Sequence, residues 1–254
     1  MQIDLTNRRV LVTGATRGIG RAIAEAFLGA GARVAVNGST EETTAKAVNE
    51  LAAGDRVVAA PGSVGDVASC RRVVEAAVAG LGGLDVLVNN AGVGGGAPVE
   101  DAEEALWDRI IDTNLKGLFF VTQQALPHLK ASAGNIVNIA SVNGLIGVAK
   151  GSIYCASKAG VIALTRAHAV EFGPEVRVNA VCPGGIDTDM LRNLAVRMGG
   201  SVEKGYEMLA HDCAAQKRIG RVEEIAGPVL YLASDLASFV TGSINVVDGG
   251  ETID

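Results

Sequence analysis

The sequence predicts an α/β fold, a single doubly wound domain with a mostly parallel seven-stranded sheet. Short runs rich in β-branched residues alternate with longer segments of helical spacing along the chain. The short runs are apolar throughout rather than at every second position. Such runs are typical of parallel strands that are covered by helices on both faces.

The strands are predicted first. They occupy residues 10–13, 34–36, 56–59, 86–88, 136–139, 176–181 and 244–247. Helices are predicted between them, because apolar residues recur at helical spacing, as Ile19, Ile23 and Phe27 do in the first of these segments. Residues 66–81 and 221–234 show the same kind of stripe. We therefore expect one domain over residues 1–254.

Residues 185–220 form an irregular segment between the sixth and seventh predicted strands. The segment is richer in charged residues and contains Gly199, Gly200 and Gly205. One interpretation is a mobile helical lid over the substrate. The other is a plain surface excursion, and the sequence does not separate the two.

Composition and charge exclude several classes of partner. The chain has 254 residues, 48% hydrophobic and 20% charged, as ordinary globular domains do. Its net charge is −6 and its pI is about 5.2, so we expect neither a nucleic-acid partner nor an anionic membrane surface. No apolar run approaches the ~18 residues of a membrane helix, and the N-terminus resembles no secretory signal.

The metal-binding residue types are scattered. The cysteines are Cys70, Cys155, Cys182 and Cys213, and the histidines are His128, His168 and His211. No CxxC pair or HExxH spacing occurs, so we predict no metal site and no disulfide framework. Reduced thiols in a cytoplasmic protein are the expected state.

A glycine-rich turn follows the first predicted strand. Residues 13–20 read TGATRGIG and lead directly into a helical pattern. Such a turn presents backbone N–H groups and the positive end of the helix dipole to an anion such as a pyrophosphate. We therefore expect a Rossmann-like dinucleotide site. Its expected contacts here are Gly14, Thr16, Arg17, Gly18, Ile19 and Gly20.

The end of the second strand bears on the choice of nicotinamide cofactor. An NAD site usually carries an acidic residue there for the ribose 2′-OH, whereas this chain has Asn37, Gly38 and Ser39, which we expect to contact the cofactor. Arg17 supplies a cation, so NADP(H) is favoured. NAD(H) remains possible, because no arginine directly follows the strand and because Arg17 also fits a solvated loop charge.

Further motifs accumulate along the chain in a fixed order. They are Asn89-Asn90-Ala91-Gly92, Asn114, Ser141, Tyr154-x-x-x-Lys158, Pro183-Gly184 with Thr188, and the closing Val247-Asp248-Gly249-Gly250. Together with the glycine turn, they resemble the short-chain dehydrogenase/reductase family over the whole chain. The resemblance implies a hydride transfer between a nicotinamide cofactor and a ketone or secondary alcohol.

The tyrosine and lysine also have a chemical interpretation of their own. Tyr154 and Lys158 are four residues apart on a predicted helix, so both side chains lie on one face. An unperturbed phenol has a pKa of ~10, and we expect the neighbouring ammonium to lower it. Tyr154 then acts as the general acid/base, while Ser141 holds and polarises the substrate oxygen.

The family resemblance assigns further roles. It implies that Lys158 bonds the nicotinamide ribose and that Asn114 anchors a water that relays protons to Lys158. The cofactor-binding residues implied in addition to the glycine turn are Ser63, Val64, Asn90, Ala91, Gly92, Tyr154, Lys158, Pro183, Gly184, Ile186 and Thr188. Ser63-Val64 departs from the family, which usually has Asp or Asn before the apolar residue, so the adenine contact is in doubt.

The sequence limits the substrate only by class. Leu145, Ile146, Val148 and Ile186 suggest an apolar pocket wall for a small carbonyl or alcohol, and a hydrophobic ketone or a 3-oxoacyl thioester fits. Residues 115–130 and 153–172 carry apolar residues on more than one side, which favours a homodimer or homotetramer, although internal packing is an alternative.

Two other functions compete with hydride transfer. One is an epimerase or dehydratase, for which the chain is short. The other is a regulator that senses the cofactor without turnover.

Overall fold

Seven parallel strands form the centre of the part of the chain that the computed structural model describes, residues 3–212 and 215–253. The strands are β1 (Arg9–Val12), β2 (Arg33–Val36), β3 (Val57–Ala59), β4 (Val86–Asn89), β5 (Asn135–Ile139), β6 (Arg177–Pro183) and β7 (Ile244–Val247). Their order across the sheet is β3-β2-β1-β4-β5-β6-β7. Every neighbouring pair is parallel, so the predicted doubly wound α/β fold is confirmed.

Helices connect the strands and cover both faces of the sheet. They are α1 (Gly18–Gly29), α2 (Glu41–Leu51), α3 (Val67–Leu81), α4 (Glu104–Ile111), α5 (Gly117–Ala131), α6 (Ser152–Phe172), α7 (Asp189–Gly199), α8 (Val202–Asp212) and α9 (Glu223–Ala233). Several of their ends are set locally. Thr40 and Asp66 accept hydrogen bonds from backbone N–H groups in the first turns of α2 and α3, and so cap these helices.

Alternate residues of each strand pack into two different hydrophobic cores. In β1, Val10 and Val12 belong to the core with α1 and α9, whereas Leu11 belongs to the core with α3 and α5. Consecutive strand side chains point to opposite faces, so both faces are buried only if every position is apolar. This requirement explains the uninterrupted apolar runs of the sequence.

The strand boundaries differ from the predictions by one or two residues. β1 ends at Val12 rather than at residue 13, because Gly14 takes the left-handed conformation with φ +61 and the chain turns away. β3 begins after Arg56, which belongs to a short 3₁₀ turn. β6 continues to Pro183, so the predicted cofactor loop starts at a strand end.

One helical feature was absent from the predictions. Residues 112–116 form a π-helical turn that joins α4 directly to α5. The predicted helix at residues 115–130 is therefore the second part of a longer helical segment. Asn114 lies at the centre of this π turn, and such turns are frequent at functional sites.

The predicted excursion at residues 185–220 contains a helical hairpin formed by α7 and α8. Its base is closed by a short parallel bridge between Ile186 and Gly220. The backbone N–H of Asp187 donates to the Gly220 carbonyl at 2.8 Å. The helical character is thus confirmed, whereas the motion of a lid stays a prediction. Cys213, one of the four cysteines, lies outside the described residues.

Two further features of the described residues concern a membrane-spanning helix and a cluster of metal-binding side chains. None of the described helices is long and apolar enough to cross a membrane. The described side chains, which leave out that of His211, bring together no group of three or more His, Cys, Asp or Glu suited to a metal ion.

An ion pair ties the beginnings of the two central strands together. Arg9 donates from Nε to Asp85 Oδ2 at 2.9 Å and from Nη2 to Asp85 Oδ1 at 2.7 Å. The backbone N–H of Arg9 adds a third hydrogen bond to Asp85. Burial alone would raise the pKa of Asp85, but these hydrogen bonds outweigh it and hold the pKa below its ordinary value.

We predict that Asp85→Asn lowers the free energy of unfolding by about 2 kcal/mol at pH 7, because it leaves the partly buried Arg9 without its counter-charge. A carboxyl whose folded pKa is depressed stabilises the protein above its unfolded pKa of ~3.9 and loses this effect as the pH falls through the folded value. Urea unfolding at pH 7, 5 and 3 should therefore show a difference from the wild type that shrinks in acid.

The exposed pair of Arg8 and Asp235 provides the control, since Asp235 is 90% exposed. We expect Asp235→Asn to change stability by at most about 1 kcal/mol. A difference between Asp85→Asn and the wild type that is the same at all three pH values would contradict the electrostatic account.

Candidate active site

The predicted site residues meet at the carboxyl edge of the sheet, around the point where the strand order reverses. β1 pairs with β2 on one side and with β4 on the other, so the chain leaves β1 and β4 in opposite directions. Open α/β sheets bind ligands in the crevice at such a point. The glycine turn follows β1, residues 90–92 follow β4, Ser141 follows β5, and Pro183 ends β6.

The glycine turn lies directly against the turn that follows β4. A Cβ at Gly14 would lie 2.8 Å from the Ala91 Cα, so a larger residue does not fit there. The next element, α1, has Arg17 as its N-cap and receives no side-chain capping hydrogen bond. Its first N–H groups therefore need another acceptor. An uncapped helix start beside a glycine turn fits the pyrophosphate of a dinucleotide.

Thr13 and Asn90 hold this turn in place. The Thr13 hydroxyl accepts hydrogen bonds from the backbone N–H groups of Asn90 at 2.9 Å and Ala91 at 3.0 Å. The Asn90 side chain donates to the carbonyls of Thr13 and Gly14. Asn90, predicted to bind the cofactor, therefore acts here by shaping the cofactor turn.

Sequence reasoning missed Thr13, although the residue begins the quoted motif. The available signal was a hydroxyl side chain at the end of an otherwise apolar strand. Because the glycines explain the turn without it, Thr13 received no role. Its function depends on a contact with residues that follow it by more than 75 positions, which motif spacing does not reveal.

Asn37 and Gly38 shape the adenosine end of the cleft. The Asn37 side chain is 2% exposed, accepts from Gly14 N–H and donates to the carbonyls of Ala60 and Gly62. Its amide is thus committed to the protein itself. A Cβ at Gly38 would lie 2.5 Å from Thr16 Cγ2 and 2.6 Å from Thr44 Oγ1. The position that usually carries the acid of an NAD site therefore has no room for a side chain.

The remaining adenosine-side candidates lie at the surface or in the core. Ser39 and Ser63 are exposed, and the Ser63 hydroxyl accepts from Gly65 N–H at 3.3 Å. Val64 is buried. Ile19 is partly buried and packs against the core. These placements leave Ser39 and Ser63 as the polar side chains free to face an adenosine.

Arg17 points across the cleft toward the hairpin of α7 and α8. Its Nη1 lies 3.3 Å from Asp189 Oδ2, and the two side chains are 78% and 58% exposed. Thr188 caps α7, and its methyl group would lie 3.5 Å from a Cβ at Gly18. The hairpin therefore begins beside the glycine turn.

The loop that leads to the hairpin is anchored at its start. Gly184 N–H donates to the Val247 carbonyl, and Gly185 N–H donates to Glu251 Oε2. Ile186 is 6% exposed and belongs to the core on the α1 and α9 face. Its side chain thus anchors the base of the hairpin, while its predicted place in an apolar pocket wall and at the cofactor stays a prediction.

Asn114 and Lys158 converge on Gly92. A Cβ at Gly92 would lie 3.4 Å from Asn114 Oδ1 and 3.5 Å from Lys158 Nζ. The Asn114 side chain exchanges hydrogen bonds with both backbone groups of Val93 and also donates to Ser157 Oγ at 3.2 Å. Its side chain thus fixes the loop after β4, while its part in a proton relay stays a prediction.

Ser141, Tyr154 and Lys158 come together as expected. Ser141 follows β5, and the turn at residues 142–144 packs Gly144 against the backbone of Lys158 on α6. The Ser141 side chain lies close enough to Tyr154 to favour its ionised form. Lys158 Nζ donates to the Ile139 carbonyl at 2.9 Å and lies 5.9 Å from the centre of the Tyr154 ring. The three groups thus surround one point at the edge of the sheet.

The pKa of Tyr154 differs from the expectation. Burial raises it above the ordinary value, and the Ser141 side chain lowers it by less. Lys158 is 4% exposed, and burial lowers its own pKa to about 8. The expected net lowering of the Tyr154 pKa is wrong for this arrangement, because desolvation outweighs the effects that favour the phenolate.

Two exposed apolar stretches lie on the loop before α6 and on α7. Leu145, Ile146 and Val148 are between 39% and 44% exposed on the loop before α6. Met190, Leu194 and Met198 are similarly exposed and recur every four residues on α7. Leu145, Ile146 and Val148 were predicted, whereas the α7 stripe was not, because the segment stood out by its charges.

Comparisons with known proteins agree with this geometry. A family model described as enoyl-(acyl carrier protein) reductase matches residues 14–252. The chain is similar to nodulation protein G of Azospirillum brasilense, with 41% identity over 97% of this chain and 98% of the relative. It is also similar to a 3-oxoacyl-[acyl-carrier-protein] reductase of Thermotoga maritima, with 40% identity over 98% and 99% of the two chains.

A solved structure extends the likeness to three dimensions. A short-chain dehydrogenase/reductase of Brucella melitensis, described as glucose/ribitol dehydrogenase, superposes with a TM-score of 0.92 at 33% identity. The match covers all of both chains. At this identity and coverage the fold is shared along the whole length.

We predict that Thr13→Val weakens dinucleotide binding about tenfold and lowers stability by about 1–3 kcal/mol, because it leaves the N–H groups of Asn90 and Ala91 without an acceptor. Fluorescence titration with a reduced nicotinamide dinucleotide and urea unfolding measure the two effects. Thr13→Ser, which keeps the hydroxyl, should restore most of the affinity. Equal affinity of Thr13→Val and the wild type would show that the hydroxyl does not shape the turn.

Proposed function

The chain belongs to the short-chain dehydrogenase/reductase family, whose members are oxidoreductases of CH–OH and C=O groups, and we propose that it transfers hydride between NADP(H) and a ketone or secondary alcohol with Tyr154 as general acid/base. The observation that carries the proposal is the meeting of Ser141, Tyr154 and Lys158 beside the glycine turn. A proton donor, a polarising hydroxyl and a nucleotide cleft thus lie at one edge of the sheet.

The nicotinamide cofactor supplies or accepts the hydride. Ser141 donates a hydrogen bond to the substrate oxygen and orients it toward Tyr154. In reduction, Tyr154 gives its phenolic proton to that oxygen. In oxidation, it takes the proton back. Lys158 bonds the ribose hydroxyls and holds the positive charge that stabilises the phenolate after the proton has left.

The raised pKa of Tyr154 favours the direction of reduction. A proton donor must be protonated at the working pH, and a phenol whose pKa is raised by desolvation meets this condition at pH 7. The same shift leaves less phenolate available to accept a proton in oxidation. We therefore propose carbonyl reduction as the direction for which this arrangement is better prepared.

The preference for NADP(H) rests on space and charge around Gly38 and Arg17. No carboxylate fits at position 38, where Thr16 and Thr44 occupy the space of a side chain. Arg17 offers an exposed guanidinium beside the helix start, and arginine binds phosphate well. The acidic residues Glu41 and Glu42, which begin α2, disfavour a 2′-phosphate nearby. NAD(H) is therefore the alternative that the assay must compare with NADP(H).

The substrate is proposed to be a small carbonyl compound with a hydrophobic substituent. The two exposed apolar stretches, with Leu145 and Val148 on one and Met190 and Leu194 on the other, are the proposed walls of the substrate entrance. Methionine adapts its shape to different ligands. A hydrophobic ketone or a 3-oxoacyl thioester fits such an entrance better than a polyhydroxylated sugar does.

We further propose a homo-oligomer and a cytoplasmic location. Along α6, the residues Ala156, Ala159, Ala163, Ala167 and Val170 form an exposed face of small apolar side chains. Phe119 of the neighbouring α5 is 39% exposed. A second copy of the chain is the proposed occupant of this face. Cys70, Cys155 and Cys182 are unpaired thiols, as in a reducing compartment.

We predict that Tyr154→Phe lowers kcat/KM for ketone reduction by at least about 100-fold, because the variant loses the proton donor. The measurement follows NADPH absorbance over a panel of hydrophobic ketones, with NADH in parallel. Tyr231→Phe is the matched control. Tyr231 lies on α9, outside the proposed site, so this variant should retain wild-type activity.

A loss of only a few-fold in Tyr154→Phe would overturn the mechanism. NADH turnover equal to or better than NADPH turnover would overturn the cofactor preference. Tight NADPH binding without oxidation by any ketone in the panel would instead support the regulator that senses the cofactor.

We predict that the wild type sediments as a dimer or tetramer and that Ala163→Glu shifts it toward the monomer, because two glutamates on a self-paired face repel each other and lose solvent. Analytical ultracentrifugation measures the change. Ala45→Glu, at an exposed position of α2, is the control and should leave the assembly intact. A monomeric wild type would contradict the proposal.

A further inference from the structure

The arginine of the glycine turn and the first residue of α7 form an ion pair across the cleft. Arg17 Nη1 lies 3.3 Å from Asp189 Oδ2. Asp189 stands in the first turn of α7, where the helix dipole favours a negative charge. The carboxylate presents its charge to the guanidinium proposed to bind the cofactor's 2′-phosphate.

The beginning of α7 is also in contact with both borders of the cleft. Thr188 faces Gly18 of the glycine turn, as described above. Next to Asp189 along the helix, Met190 reaches the loop after β4, where a Cβ at Gly94 would lie 2.9 Å from Met190 Sδ. Residues 188–190 thus bridge the nucleotide turn and the loop that Asn114 fixes.

The hairpin behind these residues is internally tied. Asp187 accepts hydrogen bonds from Arg192 Nε on α7 and from the Tyr206 hydroxyl on α8, both at 2.7 Å. Gly205 of α8 packs directly against the backbone of Ala195 on α7. Because these contacts join α7 to α8, we expect a shift of residue 189 to move both helices together.

We propose that Asp189 competes with the 2′-phosphate of NADP(H) for Arg17, so that Asp189 sets the cofactor preference and couples it to the position of the hairpin. The inference rests on the proposed use of NADP(H). A dinucleotide without the 2′-phosphate leaves the pair of Arg17 and Asp189 in place. One that carries the phosphate displaces the carboxylate, because two anions repel each other beside a single guanidinium.

The expected size of the effect follows from the exposure of the pair. Exposed ion pairs contribute little to stability, so removing the competing carboxylate should tighten binding of a 2′-phosphate by about two- to fivefold. The effect should shrink with rising salt concentration, since both partners are exposed to solvent. Binding of ligands without the 2′-phosphate should not change.

The test uses Asp189→Asn with four probes: NADPH, NADH, 2′,5′-ADP and 5′-AMP. Dissociation constants are measured by calorimetry for the full-length protein. We expect Asp189→Asn to bind NADPH and 2′,5′-ADP about two- to fivefold more tightly and the other two probes as the wild type does. Glu207→Gln removes the same charge from an exposed position of α8 and should change none of the four.

Hydrogen exchange gives a second readout that does not depend on turnover. In the wild type, 2′,5′-ADP should speed amide exchange in the first turn of α7, whereas 5′-AMP should not. In Asp189→Asn, exchange there should be fast from the start and insensitive to either probe.

The outcomes separate the two proposals. Unchanged affinities in Asp189→Asn overturn the competition, and so does an equal weakening for all four probes, which would indicate a merely structural role. A wild type that binds 2′,5′-ADP no more tightly than 5′-AMP overturns the proposed use of NADP(H) itself. If the wild type binds 2′,5′-ADP more tightly than 5′-AMP and Asp189→Asn has the same affinities as the wild type, only the competition by Asp189 is refuted.

Discussion

The contact between the turns after β1 and β4 is the constraint on which the rest of the site depends. Gly14 and Ala91 approach so closely that no Cβ fits at residue 14. Thr13 and Asn90 tie the two turns together with hydrogen bonds. These turns border the crevice at the reversal of the strand order, so their spacing sets the width of the nucleotide cleft. A shift of either turn would misplace the helix start that faces the pyrophosphate.

Much of the fold was predictable because its determinants are local. Parallel strands buried on both faces must be apolar at every position, and this requirement leaves a signal in each run. The strand ends were less predictable, since they depend on single dihedral angles such as the positive φ of Gly14. The π turn around Asn114 left no signal, because a π turn and an α turn use the same residues and differ only in hydrogen bonding.

The site divides in a similar way. Ser141, Tyr154 and Lys158 were predicted together because they follow a fixed spacing, and the fold brings them to one edge of the sheet. The residues that shape the cleft were assigned to the cofactor or missed, as Asn37, Asn90 and Thr13 were. Their partners lie far away in sequence, so only the folded chain reveals them. The pKa of Tyr154 was predicted with the wrong sign, since spacing indicates the neighbour but not the desolvation.

Desolvation of Tyr154 and Lys158 lowers the stability of the fold, but it also sets the protonation of both groups for the proposed reaction. Burial keeps the phenol protonated and lowers the pKa of Lys158 to about 8. At pH 7 Lys158 is therefore still mostly charged, and it lies near enough to the ring to stabilise the negative charge that remains when Tyr154 gives up its proton. In a water-filled site the same charge would be screened and would contribute far less. In the proposed reaction, the buried lysine would thus act in the transition state more than in the resting protein, where desolvation outweighs it.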